Sequence, residues 1–253
     1  MSKTSPNPRS GDRVAKVMAR AGLCSRRDAE RWIAAGRVAV NGDTVTTPAT
    51  LVTDSDTVLV DGKPLPKAEK TRLWRYNKPT GLVTAARDPQ GRPTVFSQLP
   101  PNLPRVISVG RLDLNSEGLL LLTNDGALAR HLELPATGWS RRYRIRAHGR
   151  VDQARLDGLK KGITVDGVRY GSIDAKLERQ QGANAWLTAS LKEGKNREIR
   201  KVLESLDLRV NRLIRVSYGP FHLGNLPREA VDEVRPAALR ENLGTFLYGG
   251  ASK

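Results

Sequence analysis

The sequence predicts an α+β protein of two domains, in which a small unit of helices and hairpins precedes a larger unit with a mixed, largely antiparallel sheet. Three observations predict this class. The chain has 253 residues, more than a single domain usually contains. Apolar residues near the start repeat with a helical period and then switch to a period of two. Farther along, short apolar runs at uneven spacing outnumber helical stretches, which is typical of antiparallel sheets and not of alternating βαβ units.

The charge balance predicts a polyanionic partner. Lys and Arg number 43 against 26 Asp and Glu, which gives a formal net charge of +17. Cationic surfaces bind nucleic acid because each neutralised phosphate releases condensed counterions. No apolar run approaches the roughly 20 residues of a membrane-spanning helix, and the polar start has no secretory signal. A single cysteine, Cys24, excludes an internal disulfide and suits a reducing compartment, so we expect a soluble, cytoplasmic protein.

The sequence predicts no metal and no cofactor. Three scattered histidines and one cysteine have no zinc-ligand spacing, and neither a Walker loop nor a GxGxxG helix start is present. A metal-dependent nuclease would need several carboxylates around one ion. Asp113, Glu117 and Asp125 are close in sequence, but their spacing does not indicate such a site.

Two helices are predicted at the start of the chain, after a polar segment (residues 1–11) that we expect to be disordered. Ser25 begins the second helix with Asp28 as its capping-box partner. Gly22 and Gly36 end the two helices. The apolar stripe of the first helix consists of Val14, Val17, Met18 and Ala21, and the buried face of the second consists of Ala29, Trp32 and Ile33.

Strands follow the helices. Val38 and Val40 alternate before Asn41-Gly42, which is a strong two-residue hairpin signal, and Val45 begins the return. The last strand of the unit is predicted at Val58–Val60. Residues 63–71, with two prolines and several lysines, are interpreted as a linker.

The first unit resembles a known RNA-binding domain. The stretch RVAKVMARAGLCSRRDAERWIAAGRVAVNGDTV is similar to the S4 domain in its helix pair, its Ser-Arg-Arg cap and its Val-x-Val-Asn-Gly ending. The resemblance covers residues 12–62 and implies RNA binding. Arginines that lie off the apolar stripe are the candidates for phosphate contact, against the alternative of an ordinary solvated face: Arg20, Arg26, Arg27 and Arg37.

The second unit is predicted over residues 72–235, with an uninformative tail at 236–253. Most of the excess positive charge lies after residue 63, so we expect this unit to touch RNA as well. Strands are predicted at 73–76, 106–109, 143–147, 186–191 and 213–216, and helices at 151–161 and 197–206.

One loop of the second unit is a candidate for chemistry. Residues 108–126 read SVGRLDLNSEGLLLLTNDG, an apolar strand that enters a polar loop and leaves as a second apolar run. Asp113 lies in this loop, where a carboxylate can be held rigidly over a cleft. An ionised carboxylate can act as a covalent nucleophile. Turns are also rich in aspartate for structural reasons, so the spacing alone leaves a structural role open.

The loop resembles a family signature. GRLDLNSEGLLLLTNDG is similar to the signature loop of the RsuA/RluB branch of RNA pseudouridine synthases. The other elements of that family also appear along the chain in the expected order: Asn-Lys-Pro-Thr-Gly at 77–81 before the loop, and after it the basic tyrosine strand at 141–146, KEGKNREIRK at 192–201 and RLIRV at 212–216. With the S4-like unit, the resemblance spans residues 12–235.

The resemblance implies roles for individual residues. Asp113 is expected to be the catalytic carboxylate, Tyr143 to stack on the target base, and Arg200 to pair with Asp113. Arg111 is expected to bind substrate, by shaping the loop or meeting a phosphate. Without the family, Tyr143 would be a half-buried strand residue and Arg200 a solvated helix residue. The further RNA-binding candidates are Arg142 and Arg144, which a strand places on the face opposite Tyr143, and Lys195 and Arg197 of the late motif.

The implied reaction fits these residue types. Converting uridine to pseudouridine breaks the N1–ribose bond and rejoins the sugar to C5, without a redox step. Burial drives a carboxylate toward its protonated form, and an arginine beside Asp113 would keep it ionised. Extruding the base from its stack costs a few kcal/mol, and stacking on Tyr143 would return about 1–3 kcal/mol.

The sequence therefore predicts a cofactor-free, monomeric enzyme that isomerises a specific uridine of ribosomal RNA. The Asn-Arg-Glu-Ile-Arg spelling and the Ala-Thr-Gly-Trp at 136–139 resemble the large-subunit enzymes of the branch. Free RNA and a precursor particle both remain open as substrate, as do attack at C6 of uracil and at C1′ of ribose. The alternative is a non-catalytic S4-type RNA-binding factor of ribosome assembly, which would have no need of a complete Gly-Arg-Leu-Asp loop.

Overall fold

The structure, a computed structural model, describes residues 11–248. Ten residues of the segment expected to be disordered, 1–10, lie outside this range, as do residues 249–253. Contacts divide the chain into a unit that ends at Thr71 and a second that begins at Arg72. No helix within the described range is both long enough and apolar enough to cross a bilayer.

The first unit consists of two helices and two small antiparallel sheets. Its elements are β1 (Asp12–Arg13), α1 (Val14–Arg20), α2 (Arg26–Ala34), β2 (Val38–Val40), β3 (Asp43–Thr44), β4 (Leu51–Val52), β5 (Val58–Val60) and β6 (Lys63–Pro64). β1 pairs with β4, and the second sheet has the order β3-β2-β5-β6. The two predicted helices and the strands at 38–40 and 58–60 are thus confirmed. The return strand predicted to begin at Val45 lies instead at Asp43–Thr44, because the two-residue turn at Asn41-Gly42 lets pairing start immediately after it. Strands β1, β4 and β6 are additional.

Local sequence signals explain these elements. The predicted capping box begins α2: Ser25 Oγ accepts from the Asp28 N–H at 3.0 Å, and the Asp28 carboxylate accepts from the Ser25 N–H at 3.3 Å. Asn41 and Gly42 have φ of 55° and 94°, as a type I′ hairpin turn requires. A second positive-φ turn follows β5 and leads into β6, so the first residues of the segment interpreted as a linker extend the sheet. The core of the unit includes Val14, Met18, Ala29, Ile33 and Val38.

The second unit is built on a large mixed sheet. Its elements are β7 (Leu73–Lys78), β8 (Ile107–Val109), β9 (Glu117–Thr123), α3 (Gly126–Glu133), β10 (Arg141–His148), α4 (Gln153–Gly158), β11 (Ile163–Val165), β12 (Val168–Tyr170), β13 (Ile173–Gln181), β14 (Asn184–Leu191), α5 (Glu198–Glu204), β15 (Arg209–Tyr218), β16 (Phe221–His222), β17 (Val231–Glu233) and α6 (Pro236–Tyr248). The sheet has the order β13-β14-β10-β15-β9-β7-β17, with β16 beside β15 and β8 beside β9. Strands β11 and β12 form a separate two-stranded antiparallel sheet.

One parallel pairing joins the two halves of this sheet. All its other strand pairs are antiparallel, but β9 and β15 run in parallel, with Ile214 opposite Glu117 and Arg215 opposite Gly118. We call this pairing the parallel seam. Gly118 is required there, since its φ is 97° and an added Cβ would collide with the backbone of Arg215. The expected α+β class with a mixed, mostly antiparallel sheet is confirmed.

Apolar side chains cover the sheet unevenly. β9 is buried on both faces, with Leu119 and Leu121 in one core and Leu120 and Leu122 in another. On the β10–β14 half, one face packs against α4 and α5. Residues 236–248, interpreted from the sequence as a featureless tail, form α6 and bury two leucines against the core around α3.

We predict that Gly118→Ala destabilises the fold by about 2–4 kcal/mol, because the new Cβ meets backbone and the residue must keep a left-handed φ. The measurement is the free energy of unfolding from urea titration. Gly158→Ala is the matched control: Gly158 ends α4 with φ −58° and open space around it, so alanine should stabilise by roughly 0.5–1 kcal/mol. Equal unfolding midpoints for the wild type and Gly118→Ala would contradict the prediction.

Candidate active site

A cleft of about 560 Å³ opens between the β8–β9 loop and the segment that precedes α5. Residues of the β8–β9 loop, of β10, of β14 and of β15 form its walls. Among the residues that line it are Asp113, Tyr143, Lys195, Arg197, Glu198 and Arg215. The cleft therefore brings together residues from sequence motifs that lie up to about a hundred positions apart.

Asp113 is partly exposed in this cleft. Its side chain is 31% exposed, and Arg197 Nη1 lies 3.8 Å from Oδ2. The Asp113 carbonyl accepts from the Ser116 N–H at 3.0 Å, which closes the loop into a turn. Tyr143 and Arg111 also line the cleft, as the sequence predicts.

Arg200 does not form the expected ion pair with Asp113. Its Nη1 donates to the carbonyl of Val210 at 3.0 Å and its Nη2 to the carbonyl of Asn115 at 2.8 Å. The ion pair is made instead by Arg197, which precedes α5 with a left-handed φ of 51°. Burial and the nearby charge of Arg197 lower the pKa of Arg200, and Asp113 opposes that shift. Arg200 thus braces the backbone of the loop that carries Asp113.

Lys78 lies completely buried beneath the same loop. Its Nζ donates to the carbonyls of Pro79 at 2.9 Å, Asp113 at 3.1 Å and Ser116 at 2.9 Å. Burial lowers the pKa of Lys78 to about 8, against the opposing charges of Asp113 and Glu117. No role for Lys78 is predicted from the sequence. A signal was present, because the alternation that buries Trp74 and Tyr76 continues to position 78.

A second buried cation supports a wall of the cleft. Arg141 is 6% exposed, and its guanidinium donates to Tyr218 Oη at 2.6 Å and to the carbonyls of Trp139, Glu133 and Lys192. Tyr218 Oη in turn donates to the carbonyl of Leu132 at 2.7 Å. These bonds join β10, β15 and the end of α3.

Glu198 is a buried acid at the start of α5. It is 4% exposed, and its Oε2 accepts from the Lys195 N–H at 2.9 Å. Burial raises the pKa of Glu198. The contact fixes the segment that carries Lys195 and Arg197. The Lys195 ammonium lies at the rim and donates to the Arg169 carbonyl at 2.7 Å and to Glu193 at 2.8 Å.

Arg142 and Arg144 lie outside the cleft. Burial alternates along β10, so both arginines project from the face opposite Tyr143. Arg144 stacks on Trp186 at 4.5 Å and pairs with Glu178 at 3.2 Å. The alternation is as predicted, so these two arginines and Tyr143 lie on opposite faces of the sheet.

The four candidate arginines of the first unit differ in their contacts and exposure. Arg20 donates to the Glu69 carbonyl at 2.6 Å, and Arg37 pairs with Asp61 at 2.8 Å while stacking on a tryptophan. Arg26 and Arg27 are exposed in the first turn of α2. Within residues 11–248, no group of three or more His, Cys, Asp or Glu residues is arranged to hold a metal ion.

Comparisons with known proteins agree with this architecture. Residues 72–205 match the family described as RNA pseudouridylate synthase, and residues 12–58 match the S4 domain. An uncharacterized RNA pseudouridine synthase of Rickettsia felis is 48% identical over 229 residues, which cover 90% of this chain and 99% of that protein. The ribosomal large subunit pseudouridine synthase B of Pasteurella multocida is 40% identical over 244 residues, which cover 92% of this chain and 71% of that protein.

A solved structure shares the fold. The crystal structure of a pseudouridylate synthase superposes with a TM-score of 0.63 at 23% identity, covering 90% of this chain and 98% of that one. The two family matches together place the chain among RNA-modifying enzymes. The chain belongs to the RNA pseudouridylate synthase family, and its activity is that of an RNA pseudouridine synthase.

We predict that the lowered pKa of Lys78 makes stability depend on pH. The folded state loses this proton near pH 8 and the unfolded state near 10.5. Between these values the unfolded chain binds more protons, so the free energy of unfolding rises with pH, by up to about 3 kcal/mol. Below pH 8 the cost of burying the charge is fully present.

The measurement compares the wild type with Lys78→Met by urea unfolding at pH 7.5, 9 and 10. The wild type should gain stability relative to the variant as pH rises. Lys176→Met removes an exposed lysine and is the control, for which the difference should stay constant. If the free energies of unfolding of the wild type and Lys78→Met change in parallel with pH, the lowered pKa of Lys78 is disproved.

Proposed function

We propose that the protein converts a specific uridine of large-subunit ribosomal RNA to pseudouridine, with Asp113 as the nucleophile. The observation that carries this proposal is the placement of the Asp113 carboxylate in a cation-lined cleft together with Tyr143. The substrate class rests on relatives named ribosomal large subunit pseudouridine synthase B, at 40–42% identity. The net charge of +17 suits a polyanionic substrate.

The cleft offers the base a place to stack. A target uridine must leave its helix to reach Asp113, at a cost of a few kcal/mol. Tyr143 is partly exposed on the cleft side of β10, and stacking on its ring offsets about 1–3 kcal/mol of that cost.

The surroundings of Asp113 favour a negative charge. Arg197 lies 3.8 Å from the carboxylate, and Lys78 and Arg200 hold the backbone of its loop. The guanidinium of Arg197 and the carboxylate therefore attract each other across the mouth of the cleft. The carboxylate attacks either C6 of uracil or C1′ of ribose. In both routes the N1–C1′ bond breaks and a C5–C1′ bond forms, and Asp113 is released at the end.

One surface on each unit is proposed to bind the remaining RNA. The first unit presents Arg26 and Arg27 at the start of α2, with Arg20 and Arg37 anchored nearby. The second surface is the outer face of β10, where Arg142 and Arg144 project from the side opposite Tyr143. Lys195 and Arg197 bind nucleotides at the mouth of the cleft, and Arg111 binds the substrate within the cleft.

We predict that Asp113→Asn lowers the conversion of uridine by more than about a thousandfold, because the amide is not a nucleophile. The measurement is tritium release from C5-labelled uridine in large-subunit ribosomal RNA. RNA affinity should stay within about threefold of the wild type, since the shape of the side chain is kept.

The matched control is Asp207→Asn, whose side chain is 89% exposed at the turn before β15 and which should convert at the wild-type rate. Turnover by Asp113→Asn at the wild-type rate would refute the role of Asp113 as the nucleophile.

In cells that carry only Asp113→Asn, pseudouridine should be lost from large-subunit ribosomal RNA. Loss confined to the small subunit would reassign the substrate, and absence of release by the wild type from every ribosomal RNA fragment would favour a non-catalytic binder.

We predict that Arg142→Gln with Arg144→Gln weakens RNA binding and makes it less sensitive to salt. Each lost phosphate contact should reduce the slope of log affinity against log salt by about 0.7–0.9. The measurement is RNA binding between 50 and 200 mM salt, which spans the range over which such contacts are strongly weakened. The charge-matched control is Arg235→Gln with Arg240→Gln, which removes two exposed arginines at and before α6. Identical salt slopes for the double variant and the wild type would show that the outer face of β10 does not contact RNA phosphates.

A further inference from the structure

Arg215 is a buried cation whose hydrogen-bonding capacity is incompletely used. It is 3% exposed on β15, and its Nε donates to the carbonyl of Leu119 at 2.7 Å. Its Nη2 is buried and has no partner within the described residues, and no carboxylate in that range pairs with it. A buried guanidinium donor without an acceptor costs free energy. The fold keeps this cost at a position that lines the cleft.

The position of Arg215 places it beside the proposed stacking residue. Arg215 is opposite Tyr143 in the register of β10 and β15, and opposite Gly118 across the parallel seam. Side chains directly opposite each other on neighbouring strands leave the same face of the sheet, with Cβ atoms about 5 Å apart. A base stacked on Tyr143 therefore lies close to this guanidinium.

The guanidinium is also held in place. Its centre lies 5.2 Å from the ring of Tyr218, and the bond to Leu119 fixes the Nε side. The unused Nη2 donor thus belongs to a group that is already oriented. A backbone phosphate would have to lose its hydration to reach a side chain with 3% exposure, whereas uracil is the part of the substrate that enters the cleft.

The reaction places negative charge on the base. When the N1–C1′ bond breaks, its electron pair stays with uracil and spreads over N1, O2 and O4. When a carboxylate adds to C6 instead, the pair moves onto the O4 enolate. The C5–C1′ bond then forms, C5 loses its proton to water, and N1 gains one. Either route develops charge on a uracil carbonyl oxygen, which an oriented buried donor stabilises more than it does the neutral base.

On the basis of the proposed function, we propose that Arg215 donates a hydrogen bond from Nη2 to a carbonyl oxygen of the extruded uracil and stabilises the negative charge that this oxygen acquires. Arg215 is then a catalytic residue distinct from the cations that hold the Asp113 loop. It also favours uracil over cytosine if the oxygen is O4, where cytosine carries a donor.

The test pairs a change in the protein with a change in one atom of the substrate. RNA fragments carry C5-tritiated uridine, 2-thiouridine or 4-thiouridine at the target position, because sulfur accepts a hydrogen bond more weakly than oxygen. Single-turnover tritium release is measured with saturating wild type and Arg215→Met. The variant should react about 100-fold more slowly on uridine, with RNA affinity within about threefold.

The decisive result is non-additivity. One of the two thio substitutions should slow the wild type by about tenfold and leave Arg215→Met unaffected, since the contact is already absent. A purely structural role would slow the variant and preserve the thio effect. Equal thio effects in the wild type and the variant at both positions would therefore overturn the proposal.

Two further variants serve as a control and as a replacement for Arg215→Met. Arg209→Met removes an exposed arginine from the same strand and should keep the wild-type thio sensitivity. If Arg215→Met does not fold, Arg215→Lys retains the charge but not the fork of donors, and the same non-additivity is expected. No tritium release by the wild type from uridine would overturn the proposed function itself, whereas normal release with additive effects would overturn only the role of Arg215.

Discussion

Buried positive charge beneath the loop of Asp113 determines where that carboxylate lies. Lys78 and Arg200 bind the loop through carbonyl oxygens of its backbone. Because carbonyls carry no net charge, these cations remain electrostatically available to the neighbouring carboxylate. Desolvation opposes the arrangement and lowers the pKa of Lys78 to about 8. The same two cations thus fix the loop and place positive charge near its aspartate, and Arg197 adds a third from the mouth of the cleft.

Local signals in the sequence predict much of the fold and the centre of the site. The capping box at Ser25, the hairpin turn at Asn41 and the alternation along β10 each depend on neighbouring residues, so they can be interpreted without tertiary structure. The loop of Asp113 is recognisable because its apolar flanks become β8 and β9. The family comparison agrees with the resemblance that these segments carry.

The remaining features depend on contacts that spacing does not encode. Arg197 and Arg200 are one helical turn apart, so sequence alone cannot decide which meets Asp113 and which meets the backbone of Asn115. β13 lies at the sheet edge with alternate charged residues, which hides its strand character. The burial of α6 depends on an apolar surface near α3, more than a hundred residues earlier. The open donor of Arg215 is visible only once β9 and β15 are paired.

The parallel seam has a consequence for the order of events during synthesis. It pairs Gly118 with Arg215, about a hundred positions later, and closing so long a loop is slower than forming local helices and hairpins. A nascent chain that ends at α5 already contains Asp113, Tyr143 and a complete S4 unit, but no seam. The cleft is complete only after β15, which forms one of its walls, has been synthesised and paired with β9.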